Sequence, residues 1–320
     1  MNYENLRTHH PIVESFFDET TNTITYVVTD TTTKKCAVID SVLDYEPHGA
    51  TISHESADKV LEYIRENNLS VEWILETHIH ADHISAAKYI KEKVGGKIAM
   101  SKEVTDIQEV FGKVFEPNIT SYEDTYFDVL FDYDEVFKVG SIPAVALYVP
   151  GHTKADVAYV IGDSVFVGDT LFMPDYGSAR CDFPVGSAER LYESVQKLYA
   201  LPDYTRMFMC HDYLPVGRKE YIWETTIYEQ KAKNIHLSSS VTKEDFITMR
   251  NIRDSKLGMP RLIIPSIQVN IWGGKLPVRT NGDLVLTVPI NSLFAKTSTP
   301  QKLHKKTTIL FTKNYHGFEE

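Results

Sequence analysis

Cysteine is scarce in this chain. Cys36, Cys181 and Cys210 are the only three among 320 residues. The set is odd in number and contains no Cys-x-x-Cys pair, which argues against a disulfide framework and fits a reducing compartment. Long apolar runs are missing too, and none approaches the roughly 20 residues that span a bilayer. Positive charge is in deficit: 33 Lys and Arg face 44 Asp and Glu, for a net charge of -11. A nucleic-acid surface needs clustered cations, so that class of partner is not expected. The one basic cluster, Lys302, Lys305 and Lys306 around His304, reads as a solvated stretch. Residues 1–7 have no apolar core and carry an early acid, Glu4, unlike a secretory or transit segment. The chain is therefore expected to be cytoplasmic and free of the membrane.

Against this plain background stands Thr77-His78-Ile79-His80-Ala81-Asp82-His83. Imidazole and carboxylate are the common protein ligands of zinc and non-haem iron. A lone histidine is usually structural, but three histidines and an aspartate this close point to a metal. The setting supports that reading. Residues 71–76 form an apolar, β-branched stretch that predicts a buried strand. The motif begins where the strand ends, as sites do in sheets flanked by helices. His78 and His80 stand two apart, so on extended backbone they share a side. Asp82 is expected to cap a helix running to about Val94, which Gly95-Gly96 ends.

Further strands are expected at 23–29, 36–40, 136–139, 144–149, 158–161, 164–167 and 206–210, with a hairpin turn at Gly162-Asp163. Helices are expected at 55–66, 188–199, 223–236 and 243–254. The last sixty or so residues read as strand-rich and loop-rich, with 262–264 and 267–271 as candidate strands. No repeat, low-complexity tract or Gly/Ser linker divides the chain, so one α/β domain with a C-terminal extension is expected.

Three more polar residues directly follow apolar strands: His152 after 144–149, Asp169 after 164–167, and His211 after 206–210. Seven candidate ligands then allow two arrangements. In one, two metals share Asp169, the first with His78, His80 and His152, the second with Asp82, His83 and His211; such a pair suits hydrolysis. In the other, one Fe(II) sits on His78, His152 and Asp169, a two-His, one-carboxylate triad with open positions. His80, Asp82, His83 and His211 would then orient the ligands from behind.

The Thr-His-x-His-x-Asp-His motif resembles that of the metallo-β-lactamase fold. This implies an αββα sandwich of two mixed sheets flanked by helices, with a catalytic domain over 11–240 and an extension over 241–320 that contributes to the substrate pocket. More selective segments are Pro11-Ile12-Val13-Glu14-Ser15-Phe16-Phe17-Asp18, Ser178-Ala179-Arg180-Cys181-Asp182-Phe183-Pro184, Met209-Cys210-His211-Asp212-Tyr213 and Pro265-Ser266-Ile267-Gln268-Val269-Asn270-Ile271. Over roughly residues 11–290 the chain resembles the persulfide dioxygenases of the ethylmalonic-encephalopathy-protein type, relatives of glyoxalase II. The resemblance implies one Fe(II) per chain on His78, His152 and Asp169, where two zinc ions or a mixed iron–zinc pair would be the alternative. It implies oxidation of glutathione persulfide, or a similar small persulfide, by O2 to sulfite and thiol. It also implies a homodimer, and a thiol pocket lined by Arg180, Tyr213 and Asn270. Trp272-Gly273-Gly274 departs from relatives with Arg and Cys there, which leaves glutathione itself less secure than a persulfide. Cys181 reads as a packed residue. The alternative function is a glyoxalase II-like binuclear thioester hydrolase, which the strand-rich tail counts against; a non-catalytic metal-binding module is a third reading.

Overall fold

The computed structural model describes residues 8–115, 126–278 and 281–290. From the N-terminal side the chain runs β1 (Ile12–Asp18), β2 (Thr23–Thr29), β3 (Lys35–Ile39), β4 (Val42–Glu46), β5 (Thr51–Ser53), α1 (Glu55–Glu66), β6 (Ser70–Leu75), β7 (Ile84–Ser85), α2 (Ala87–Val94), β8 (Lys97–Ser101), α3 (Val104–Gly112) and β9 (Val129–Phe131). It continues with β10 (Glu135–Val139), β11 (Ile142–Tyr148), β12 (Val157–Ile161), β13 (Ser164–Phe166), α4 (Ala188–Tyr199), β14 (Arg206–Phe208), β15 (Glu224–Thr226), α5 (Ile227–Lys233), α6 (Lys243–Asp254) and α7 (Ile263–Asn270).

Two six-stranded sheets result, ordered β1-β2-β3-β6-β8-β9 and β10-β11-β12-β13-β14-β15. Each mixes parallel and antiparallel pairs. Side chains alternate across a strand, and the packing follows. Ile24, Tyr26 and Val28 of β2 meet Ala144 and Ala146 of β11, with Phe131, Phe137, Phe166 and Phe208, in the core between the sheets. Val145 and Leu147 of β11 face the other way, against Leu191, Val195 and Leu198 of α4 and Phe246 of α6. Full burial of each such side chain contributes roughly 1.5–3 kcal/mol. The sandwich with outer helices is the expected fold.

Residues 1–288 form one compact unit and 289–320 another, of which only 289 and 290 are described. The described part of the expected extension up to residue 288 thus belongs to the same unit as the sheets. The Lys302–Lys306 cluster lies outside the described residues. Among the described residues, no helix is long and apolar enough to cross a membrane.

Four local expectations fail for physical reasons. The helix expected at 223–236 starts only at Ile227 and ends at Lys233, because Glu224–Thr226 first pairs with β14 at the edge of the second sheet. Asp82 does not cap a helix: Ile84–Ser85 first pairs with β4, Leu43 opposite Ile84 and Val42 opposite Ser85, and α2 starts only at Ala87. The strand expected at 206–210 ends at Phe208, and Met209–His211 turns toward β2, where Ile24 N–H donates to the Cys210 carbonyl at 2.8 Å. The strands expected at 262–264 and 267–271 are the helix α7. Its β-branched residues favour a strand reading, but Ile263, Ile267 and Ile271 recur every four residues. Pro265 stands in the first turn, where a missing N–H costs nothing. With that helix, and only the isolated Val278–Leu284 bridge after it among the described residues, the strand-rich tail is lost as an argument against a thioester hydrolase.

Candidate metal centre

The five strands β3, β6, β11, β13 and β14 end on one side of the sandwich, and the residues after them supply Asp40, the Thr77–His83 loop, His152, Asp169 and His211. Gly168 permits this crowding. Its φ is +53°, and a Cβ there would stand 2.6 Å from Thr77 Oγ1, so glycine lets Asp169 approach the loop.

All seven expected ligands come together. Ligand atoms of His78, His152 and Asp169 lie within 4.8 Å of one another, as do those of His80, Asp82 and His83. His211 Nε2 is 3.3 Å from Asp82 Oδ2 and 3.4 Å from Asp169 Oδ1. His152 Nε2 is 3.5 Å from Asp169 Oδ2, and His78 Nε2 is 3.9 Å from the same oxygen.

Each histidine is held by one ring nitrogen, leaving the other turned inward. His152 Nδ1–H donates to the Arg180 carbonyl at 2.8 Å, and His211 Nδ1–H to the Asn22 carbonyl at 3.2 Å. His83 Nδ1 meets Thr23 Oγ1 at 3.3 Å. Asp40 organises two more: it accepts from His80 Nε2 at 3.0 Å and from Thr77 N–H and Oγ1–H, both at 2.8 Å. The Thr77 oxygen in turn contacts His78 Nδ1 at 3.1 Å. Glu76 lies behind His80 at 3.4 Å. Fixing one nitrogen through a neighbour is how proteins aim the other at a metal.

The chemistry of the donor set fits a metal. His80 Nδ1, His83 Nε2, His211 Nε2, Asp82 Oδ2 and Asp169 Oδ1 are buried without a hydrogen-bond partner. Five orphaned polar atoms in one cluster would be costly unless a cation satisfied them. Burial lowers the basicity of His78 and His83, helped by the neighbouring imidazoles, and neutral imidazole is the ligating form. Burial opposes charge on His80 as well, but the Asp40 and Glu76 carboxylates outweigh it and raise the group. Asp82 is half-buried, and desolvation opposes its charge, yet His211 and His83 hold its carboxyl well below the usual range.

A cavity of about 400 Å³ opens beside this cluster, lined by Asp82, His152 and Asp169. Arg180 and Tyr213 line it as expected. The Tyr213 ring stacks on His211, with centroids 5.6 Å apart. The Arg180 fork, however, is engaged by Asp182 at 2.6 and 2.7 Å and by the Gly258 carbonyl at 2.7 Å. Asn270 is not on the cavity wall. It is buried, its Oδ1 accepting from Ser85 N–H and its Nδ2 donating to the His80 and His83 carbonyls, all at 2.8 Å. The residue expected to bind peptide groups of the substrate instead clamps the ligand loop. Asn270→Ala is expected to cost roughly 2–4 kcal/mol, because three buried backbone groups lose their partner. Chemical denaturation measures this, and a cost below about 0.5 kcal/mol, within the usual surface range, would contradict the clamp.

Several residues here carry no distinguishing signal in the sequence. Asp40 follows a strand just as the ligands do. Arg253 and Arg261 line the cavity and make no side-chain hydrogen bond or ion pair among the described residues; Arg250, one turn from Arg253 on α6, is tied to Asp254. His236, read as ordinary packing, also lines the cavity. Its Nδ1 accepts from Ser178 N–H at 3.0 Å, and burial, with Arg253 and Arg250 nearby, lowers its pKa to about 4. Cys181 packs in the core under α4, and burial pushes its thiol up, as expected of an inert cysteine.

A structural metal site is closed by its protein ligands, whereas a catalytic one keeps an open side. Ligands gathered at the strand ends of a two-sheet sandwich, and open to a cavity, define a metal-dependent enzyme. The Metallo-beta-lactamase superfamily model matches residues 20–211, and the chain belongs to that superfamily. It is 47% identical over 284 residues to the beta-lactamase hydrolase-like protein of Xylella fastidiosa (strain 9a5c), covering 88% of this chain and 65% of that one. The chain thus spans just under two thirds of that relative's length. It is 47% identical over 271 residues to glyoxylase B2 of Dictyostelium discoideum, covering 83% and 92% of the two chains. Among solved structures, ETHE1 from Myxococcus xanthus superposes with a TM-score of 0.66 at 29% identity, covering 82% of this chain and all of that one.

Proposed function

We propose that the protein is an Fe(II)-dependent persulfide dioxygenase. The balanced reaction is glutathione persulfide, or a related small persulfide, plus O2 and water, giving the thiol, sulfite and two protons. The sulfur–sulfur bond breaks, O2 is the oxidant, and water supplies the third sulfite oxygen. The observation that carries this reading is the buried His78–His152–Asp169 group beside an arginine-lined cavity; the likeness to ETHE1 over that protein's full length supports it.

His78, His152 and Asp169 would hold the metal. Iron there supplies the redox chemistry that oxidation of sulfur by O2 requires and zinc lacks. Arg253 and Arg261 suit the carboxylates of an anionic thiol, and drawing such a substrate into a protein of net charge -11 needs local cations. Tyr213 walls the sulfur end of the cavity with its ring on His211. Asp40, through Thr77 and His80, keeps the loop in its ligating geometry. Arg253→Ala is expected to raise KM for glutathione persulfide about threefold to fivefold with kcat little changed, the worth of one partly exposed ion pair. Steady-state kinetics at two salt concentrations checks this, since added salt should weaken the wild type more than the variant.

A second reading has its own support. The bare atoms of Asp82, His83 and His211 suit a second metal, and glyoxylase B2 is among the relatives. A binuclear thioester hydrolase would use the same cavity. O2 uptake separates the two. Persulfide-dependent uptake without hydrolysis of S-lactoylglutathione is expected, whereas rapid thioester hydrolysis with no uptake would replace the dioxygenase by the hydrolase.

A further inference from the structure

A second, much smaller cavity of about 20 Å³ adjoins the first. Ile79 from the ligand loop, Ile107 and Phe111 from α3, Ile263 and Ile267 from α7, and Phe183 form most of its wall. Ala81, His152 and Phe183 line both spaces, so the two meet at the ring of a metal ligand. Phe183 forms part of that partition, edge-on to His152 with centroids 5.2 Å apart.

The small cavity has room for one small molecule, since a water needs at least about 10–15 Å³. Water also needs two to four polar partners, and the wall offers almost none. Its polar side chains are His152 and Thr153. His152 Nδ1–H is given to the Arg180 carbonyl, and its Nε2 faces Asp169. The Thr153 hydroxyl donates to Asp156 and accepts from Ala155 N–H. A neutral, apolar diatomic loses nothing by entering such a space, and an anionic thiol has no reason to.

We propose that this cavity holds O2 and delivers it to the His152 side of the metal centre. The proposal rests on the dioxygenase reading and adds a route to it. The two reactants approach through chemically opposite spaces: the anionic persulfide beside Arg253 and Arg261, and O2 between isoleucine and phenylalanine side chains. Bound persulfide then does not close the path of O2.

Crystals of the iron-loaded enzyme pressurised with xenon test the cavity directly, and a xenon site among Ile79, Ile107 and Ile263 is expected. Ile107→Phe, which fills the space from α3, is expected to raise KM for O2 about threefold or more, with iron content and KM for glutathione persulfide unchanged. Ile267→Phe fills it from α7 and serves as the independent variant should the first not fold. No xenon in the cavity, or an unchanged KM for O2 in the folded filling variants, overturns the O2 site and leaves the dioxygenase reading in place. A wild-type enzyme that takes up no O2 with glutathione persulfide overturns both.

Discussion

Asp169→Ala is expected to remove metal and turnover together. Asp169 faces both halves of the cluster: Oδ2 lies toward His78 and His152, and Oδ1 toward His211. Truncation leaves the imidazole nitrogens with a neutral methyl group where an anion stood. The loss in kcat should be about a thousandfold or more, several kcal/mol of stabilisation of the reacting charges. Metal analysis on the purified variant, beside its O2 uptake, measures both quantities. Retained iron with full activity would refute the triad. The mutation should spare the fold, because a buried carboxylate without its cation is a cost to the chain and its removal relieves that cost.

Asp40→Ala is expected to do the opposite, damaging the fold first. Asp40 is buried, adopts a left-handed φ of +51°, and accepts three hydrogen bonds from Thr77 and His80. Its removal leaves the Thr77 N–H buried without an acceptor and the His80 Nε2–H with only Glu76, at 3.4 Å. Breaking a buried charged pair by removing one partner typically costs about 3–5 kcal/mol, and losing the support of a ligand typically weakens metal binding about 10–100-fold. Asp40→Asn keeps an acceptor for the Thr77 N–H, so its stability should fall less than that of the alanine variant while metal affinity still drops. Calorimetry and an iron titration on both variants give the comparison. Equal metal affinity in wild type and Asp40→Asn would show that the carboxylate does not hold the ligand loop in its ligating geometry.

These two residues mark what the sequence could and could not disclose. Asp169 was legible because a polar residue directly after an apolar strand stands out beside a histidine motif. His152 and His211 were legible in the same way, and the sandwich followed from the alternating strands. Asp40 occupies the same kind of position, but its role exists only once β3 and β6 lie side by side. Arg253 and Arg261 are ordinary surface arginines in sequence. They become a pair only because α6 and the segment before α7 meet the same cavity. Asn270 is singled out by the family resemblance as a pocket residue, and its place behind the ligand loop is not legible because its partners are backbone atoms some 190 positions away. The helix α7 was misread because β-branched residues outweighed the four-residue recurrence of isoleucine. That error mattered, for it had counted against the hydrolase, and the choice now rests on the metal and its chemistry.

The most direct test is a titration of anaerobically prepared apoprotein with Fe(II), reading sulfite formed from glutathione persulfide under O2. The account expects activity to saturate at one iron per chain and zinc to give none. Activity that needs two metal ions per chain, or that zinc restores, would contradict it.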